Sequence, residues 1–247
     1  MFKRIKAWLR VIVDFSSSVI CVKNSTLLNT DETVNYVKNS NKSIIRFGDG
    51  EFNILMGRGI CYQSFNPELQ KDLFEIIDNY PLGYKNNYLL CMPTPFFKCN
   101  GLKLLKKREY VASWATSRRA FKEKYDNGST YGDAFVFANG NKEYYKLLWE
   151  AKKIVIFVHN DEKHAKAFNR EYQKTTIFVK IPPKDAYEQK ELILSNILKE
   201  GKNYKKEEIL ILISAGPCGK VLVKKLSDLD LIAYDTGHCW DEPLDTL

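Results

Sequence analysis

Three short stretches of this sequence combine residue types that can do chemistry. Residues 46 to 51 read Arg46-Phe47-Gly48-Asp49-Gly50-Glu51. Two carboxylates one residue apart, flanked by glycines, can share a divalent cation, because Mg²⁺ and Mn²⁺ favour carboxylate oxygens and keep open positions for phosphate. Asp-Gly also marks ordinary tight turns, so these residues alone leave both readings open. The second stretch is Ala215-Gly216-Pro217-Cys218-Gly219-Lys220. A glycine-rich passage from strand to helix presents N–H groups and a positive dipole end to an anion, and Lys220 would add charge there. Its spacing is not that of a Walker A loop, and a tight connection is the plain alternative. The third stretch is Asp235-Thr236-Gly237-His238. Here His238 offers a metal ligand, a base or a phosphate partner, against the plain reading of a surface histidine.

The elements that must position these residues follow from pattern. Short apolar runs rich in Val, Ile and Phe read as buried strands at 43–47, 87–92, 134–138, 153–158, 175–180, 209–214 and 231–234. Amphipathic segments at 67–79, 186–200 and 220–226 read as helices, the second stopping at Gly201. Alternating strands and helices predict an α/β fold, a Rossmann-like, largely parallel sheet flanked by helices. Ligands of such sheets bind beyond the carboxyl ends of the strands, which brings all three stretches to one edge.

With 45% hydrophobic and 28% charged residues, the 247-residue chain has material for one large domain. We expect a basic helical segment at 1–28 and a single domain at 29–247. The net charge of +8 points to an anionic partner without choosing among nucleic acid, membrane and phosphorylated substrate. Nucleic-acid binding through stacked bases needs aromatics interleaved with lysines on an exposed face. Phe135, Phe137, Phe157 and Phe178 instead lie in strand-like runs, and the lysine-rich stretches 103–108 and 202–206 read as solvated faces. No nucleic-acid partner is therefore expected. Six scattered cysteines without a Cys-x-x-Cys pair fit reduced thiols and a cytoplasmic location, and three dispersed histidines do not suggest a zinc site. Near the N-terminus, Asp14 interrupts the apolar run a signal peptide would need. No window supplies the roughly 20 apolar residues of a membrane span. The segment suits peripheral contact with the anionic inner membrane surface, with an ordinary packed helix as the alternative.

Taken in order, the motifs carry a family resemblance. Ser43-Ile44-Ile45-Arg46-Phe47-Gly48-Asp49-Gly50-Glu51-Phe52 resembles the opening motif of the GT-D type glycosyltransferases, a family first described as a domain of unknown function. Residues 131–135, 181–187, 214–222 and 234–238 resemble its later segments, so the likeness runs from about 30 to 240. It implies a GT-D type fold and metal-dependent transfer of a hexose from a nucleotide sugar, UDP-glucose or UDP-galactose. The implied acceptor is a glycan or lipid-linked glycan, in bacterial surface polysaccharide or glycoprotein synthesis. Asp49 and Glu51 then form the family's Asp-x-Glu motif and hold Mn²⁺ or Mg²⁺, with His238 completing the coordination or donating to the diphosphate. Arg46, Gly48, Lys184, Gly216 and Lys220 become the donor-binding residues, although Arg46 also reads as a structural partner for a nearby carboxylate. Asp133 and Asp235 are unranked candidates for a base. The chain departs from the pattern at His159-Asn160-Asp161-Glu162, at Asp185, which replaces an asparagine and is expected to repel phosphate but accept from a ribose or uracil, and after His238. The alternative activity is that of a metal-dependent phosphohydrolase or nucleotidyl enzyme using the same carboxylates on an activated water.

Overall fold

The computed structural model describes residues 2–17, 19, 22–82, 86–106 and 108–241. Eight strands form one sheet: β1 (Thr26–Leu27), β2 (Ser43–Arg46), β3 (Tyr88–Met92), β4 (Thr130–Asp133), β5 (Ile154–His159), β6 (Thr175–Lys180), β7 (Ile209–Ile213) and β8 (Ala233–Asp235). Their spatial order is β1-β4-β3-β2-β8-β7-β5-β6, and all pairings between these strands are parallel. The helices are α1 (Phe2–Ser17), α2 (Thr30–Ser40), α3 (Asp49–Leu55), α4 (Pro67–Asn79) and α5 (Thr94–Lys98). They continue with α6 (Arg108–Lys124), α7 (Lys142–Tyr145), α8 (Glu162–Tyr172), α9 (Lys190–Gly201) and α10 (Pro217–Asp228).

A parallel sheet covered on both faces needs strands that are apolar throughout, and β3 and β7 are buried at every position. Successive side chains alternate between faces. Ile45, Leu90, Ile156 and Ile211 join one core with α4, α9 and α10, whereas Ile44, Leu89, Val155 and Leu210 join another with α2 and α8. The result is the expected helix–sheet–helix sandwich. Helix α4 matches its expected bounds because Asn66 caps it, accepting from the N–H groups of Glu68 and Leu69, and Pro67 fills the first turn.

One expectation about the elements changes. Residues 134–138 are not a strand: β4 ends at Asp133 and residues 134–137 form turns. The Asp133 carboxylate accepts from the Phe135 N–H at 2.9 Å and the Asp133 carbonyl from the Val136 N–H at 3.2 Å, which bends the chain while its apolar side chains stay buried. Strand β1 pairs with β4 at the edge of the sheet. Helix α1 docks on α6, where buried Asp14 accepts from Thr116 Oγ1 at 2.7 Å and from Arg119 at 3.0 Å. Its Trp8, Leu9, Ile12 and Val13 are each more than half exposed. Among the described residues no helix is long and apolar enough to cross a membrane.

From β2 the chain steps outward through β3 and β4, then resumes with β5 in the other half of the sheet. Strand β5 leads outward to β6 whereas β7 leads back to β8, so the winding reverses between β5 and β7, and the loops leaving these strands diverge there to open a crevice.

Candidate active site

A cavity of about 590 Å³ lies over the carboxyl ends of the strands, with Asp49, Gly216 and His238 among the residues on its wall. The three sequence stretches do meet, and most of their charged side chains build the floor.

Arg46 ends β2 and is largely buried. Its Nε donates to the Asp235 carbonyl at 2.6 Å and its Nη1 to the Ala134 carbonyl at 2.8 Å, while the guanidinium stacks over Phe137. Arg46 thus ties β2, β8 and the turn after β4 together, as the structural reading of this residue has it. Gly237, at φ +52°, lies so close that any side chain there would collide with the guanidinium.

Lys220, expected to meet a phosphate, is turned inward in the first turns of α10. Its ammonium donates to the Gly216 carbonyl at 3.1 Å and pairs with Glu51 Oε1 at 3.0 Å and Asp235 Oδ2 at 3.1 Å. Three acceptors match its three N–H bonds, so none is left for a ligand. Burial opposes the charge, but Asp235 and Glu51 outweigh it and hold Lys220 above the ordinary lysine range.

Glu51 is correspondingly committed. Its second oxygen accepts from the Gly48 N–H at 2.7 Å and caps α3. That bond also removes the Gly48 N–H from the set of expected donor contacts. Asp133 and Asp235, the two candidate bases, are both sealed: Asp133 accepts from Thr30 and from Phe135, and Asp235 is fully buried against Arg46 and Lys220.

Asp49 differs from all of these. It opens α3 half-buried on the cavity wall, and among the described residues no lysine or arginine pairs with it. Burial first, and the neighbouring Glu51 second, raise its pKa above the ordinary aspartate value. Asp49, Glu51 and Asp235 carry three negative charges against the two positive charges of Arg46 and Lys220, and the uncompensated one sits at Asp49. A carboxylate under that strain fits a cation. Among the described residues, however, the ligand atoms of Asp49, Glu51 and His238 do not converge within 4.8 Å of one another, so the expected three-ligand set is not assembled by the protein alone.

His238 is exposed and meets the Tyr62 ring edge-on at 5.8 Å. Gly216 caps α10 at φ +54°, a conformation that favours glycine, and a Cβ there would lie 2.7 Å from the Tyr62 ring. Lys184 lines the cavity. Its neighbour Asp185 is not turned to a ligand: it adopts the left-handed conformation that asparagine and aspartate tolerate, and its carboxylate accepts from the Ser64 N–H at 2.6 Å. The Asp185 N–H in turn donates to the Tyr62 carbonyl at 3.0 Å. These bonds clamp the loop after β6 onto the loop that carries Tyr62.

Sequence reasoning missed Tyr62, the aromatic wall of Phe96 and Trp114, whose rings stack at 4.4 Å, and a cluster of His159, His164 and Asp241. Buried His159 ends β5, accepts the Asp161 N–H at Nδ1 and faces Asp241 Oδ2 with Nε2 at 3.3 Å. Burial lowers its pKa, so it stays neutral near pH 7. The one available signal was a histidine on each side of the turn from strand to helix after residue 158.

Comparison with known proteins agrees with this architecture. The glycosyltransferase GT-D fold family model matches residues 44–243. A probable glycosyl transferase of Streptococcus gordonii is 26% identical over 230 residues, covering 86% of this chain and 32% of that protein. Glycosyltransferase GlyD of Streptococcus pneumoniae serotype 4 is 25% identical over 224 residues, covering 84% of this chain and 26% of that protein. The chain thus spans a third or less of these relatives. Among solved structures, a conserved domain of unknown function described as having a distinct glycosyltransferase fold superposes with a TM-score of 0.75 at 24% identity, covering 93% of this chain and 83% of the other. A glycosyltransferase from Streptococcus sanguinis gives 0.67 at 25% identity, over 88% and 82%. With the family model spanning most of its length and this site at its switch point, the chain belongs to the glycosyltransferase GT-D fold family.

Proposed function

We propose that this protein transfers a hexose from a UDP-sugar, UDP-glucose or UDP-galactose, to a glycan acceptor of the bacterial surface, with Mn²⁺ or Mg²⁺ bound alongside the donor. The observation that carries this reading is the uncompensated, half-buried carboxylate of Asp49 on the wall of the switch-point cavity. Asp49 would hold the cation, and the donor's own diphosphate would supply further oxygens. When bound, such a cation neutralises charge developing on the diphosphate as the glycosidic bond breaks.

The protein's own residues have separable tasks. Glu51 and Lys220 fix the start of α3 and so fix Asp49. The exposed His238 and the side chain of Lys184 supply donors for diphosphate oxygens. Aromatic side chains on the cavity wall, Trp114 and Tyr62, offer flat surfaces to a nucleobase or sugar ring. A peripheral site at the inner membrane surface, reached by the exposed apolar residues of α1, would bring the enzyme to a lipid-linked acceptor.

A panel of nucleotide sugars incubated with the protein and Mn²⁺, with and without simple glycosides, tests the reading. Formation of a glycoside together with UDP is expected. Release of free phosphate or of a nucleoside monophosphate, with no glycoside formed, would establish the hydrolase or nucleotidyl alternative instead.

A further inference from the structure

If the donor is held at Asp49, a transferase that inverts its sugar still needs a group that takes the proton of the incoming hydroxyl. Of the carboxylates on the cavity wall among the described residues, Asp49 faces the cation site and Glu51 is locked by Lys220 and the Gly48 N–H. The third is Asp241, 45% exposed and paired with no lysine or arginine among the described residues.

Asp241 lies beside two imidazoles. His164 Nε2 lies 2.9 Å from Oδ1, and that buried nitrogen has no aligned hydrogen-bond partner. His159 Nε2 lies 3.3 Å from Oδ2. The His159 tautomer is fixed from behind: Nδ1 accepts the Asp161 N–H at 3.0 Å, so in the neutral ring the proton sits on Nε2, the nitrogen nearer Asp241.

Two histidines and a carboxylate with ligand atoms within 4.8 Å of one another also suggest a metal site. The ligand spacing would suit zinc, whose tetrahedral ligands at about 2.0–2.1 Å lie roughly 3.3 Å apart. The tautomer argues against it. A metal on His159 Nε2 would require the proton on Nδ1, where the Asp161 N–H already points.

We propose that Asp241, flanked by His159 and His164, is the base that receives the acceptor's proton. This rests on the transferase reading above. The acceptor hydroxyl gives its proton to an Asp241 oxygen as its own oxygen bonds the anomeric carbon. The bond from that carbon to the diphosphate breaks, and its electron pair leaves with the diphosphate. The product therefore has the opposite anomeric configuration to the donor. The exposed carboxyl then returns its proton to solvent.

The test compares wild type with Asp241→Asn and Asp241→Glu, using UDP-glucose and UDP-galactose with Mn²⁺, and with water and aryl glycosides as acceptors. Calorimetric affinity for UDP, melting temperature, the rate of UDP release and the product's anomeric configuration are measured. The asparagine variant should keep its fold and its UDP affinity within about twofold while UDP release falls about 10²–10⁴-fold, the range of a lost general base. The glutamate variant should recover part of that loss. A rate in the asparagine variant within about tenfold of wild type would overturn the assignment. Retained anomeric configuration, or stoichiometric Zn²⁺ binding that Asp241→Asn abolishes, would overturn it equally. If wild type neither binds nor turns over any UDP-sugar, the donor reading itself fails and this assignment falls with it.

Discussion

At Lys220 one ammonium satisfies Gly216, Glu51 and Asp235 at once, and its removal would leave two buried carboxylates facing each other. Breaking such a cluster from one side costs about 3–5 kcal/mol. Lys220→Met should therefore lower the urea midpoint of unfolding sharply, and an unchanged midpoint would contradict the assigned pairing. Because the folded protein holds Lys220 above the ordinary lysine range, its contribution is complete below the unfolded value of about 10.4 and fades as pH rises beyond it. The stability gap between wild type and Lys220→Met should accordingly narrow at strongly alkaline pH. Asp49 shares that pH sign, although here it is the charged form that the fold disfavours. Its pKa is raised, so ionisation is disfavoured in the fold, and stability falls as pH climbs from the ordinary aspartate value to the raised one. In metal-free buffer at pH 7, Asp49→Asn should melt at or above the wild-type temperature. A clear drop in melting temperature would show that Asp49 is a structural anchor.

Strand ends set where the chemistry lies, and loop clamps set how firmly it is held. Gly216 at φ +54° touches the Tyr62 ring, which edges His238. Gly216→Ala adds strain of about 1–3 kcal/mol and displaces Tyr62. UDP affinity should fall by roughly tenfold, equivalent to about 1.4 kcal/mol, while Asp185→Asn, which retains both the left-handed backbone and an acceptor for the Ser64 N–H, should leave it unchanged. Equal affinities in both variants would detach these loops from the site. The same elements explain what the sequence disclosed. Asp49, Gly216 and His238 were legible together because each follows an apolar run, and parallel strands end on one edge. Residues 134–138 misled because a run of buried apolar residues looks alike in a strand and in a packed turn, and the Asp133–Phe135 bond that bends it leaves no periodic trace. The inward orientation of Lys220, the Tyr62 loop and the Asp241 cluster depend on contacts between distant segments, which no local pattern records.

Over the whole molecule, one parallel sheet reverses its winding between β5 and β7, and the crevice over its strand ends carries two carboxylates, Asp49 and Asp241, that no lysine or arginine pairs with among the described residues. The basic surface implied by a net charge of +8 suits the approach of an anionic nucleotide, but the electrostatic centre of the site is acidic and calls for a cation between the two. On the proposed transferase reading, such a cation would let a chain with an acidic signature turn bind a diphosphate. Titration calorimetry of UDP into wild type and Asp49→Asn, each with and without Mn²⁺, tests it most directly. UDP should bind wild type far more tightly with Mn²⁺ than without, and Asp49→Asn should lose that dependence while remaining folded. Equal UDP affinity with and without the metal, or a metal dependence that survives in Asp49→Asn, would contradict it.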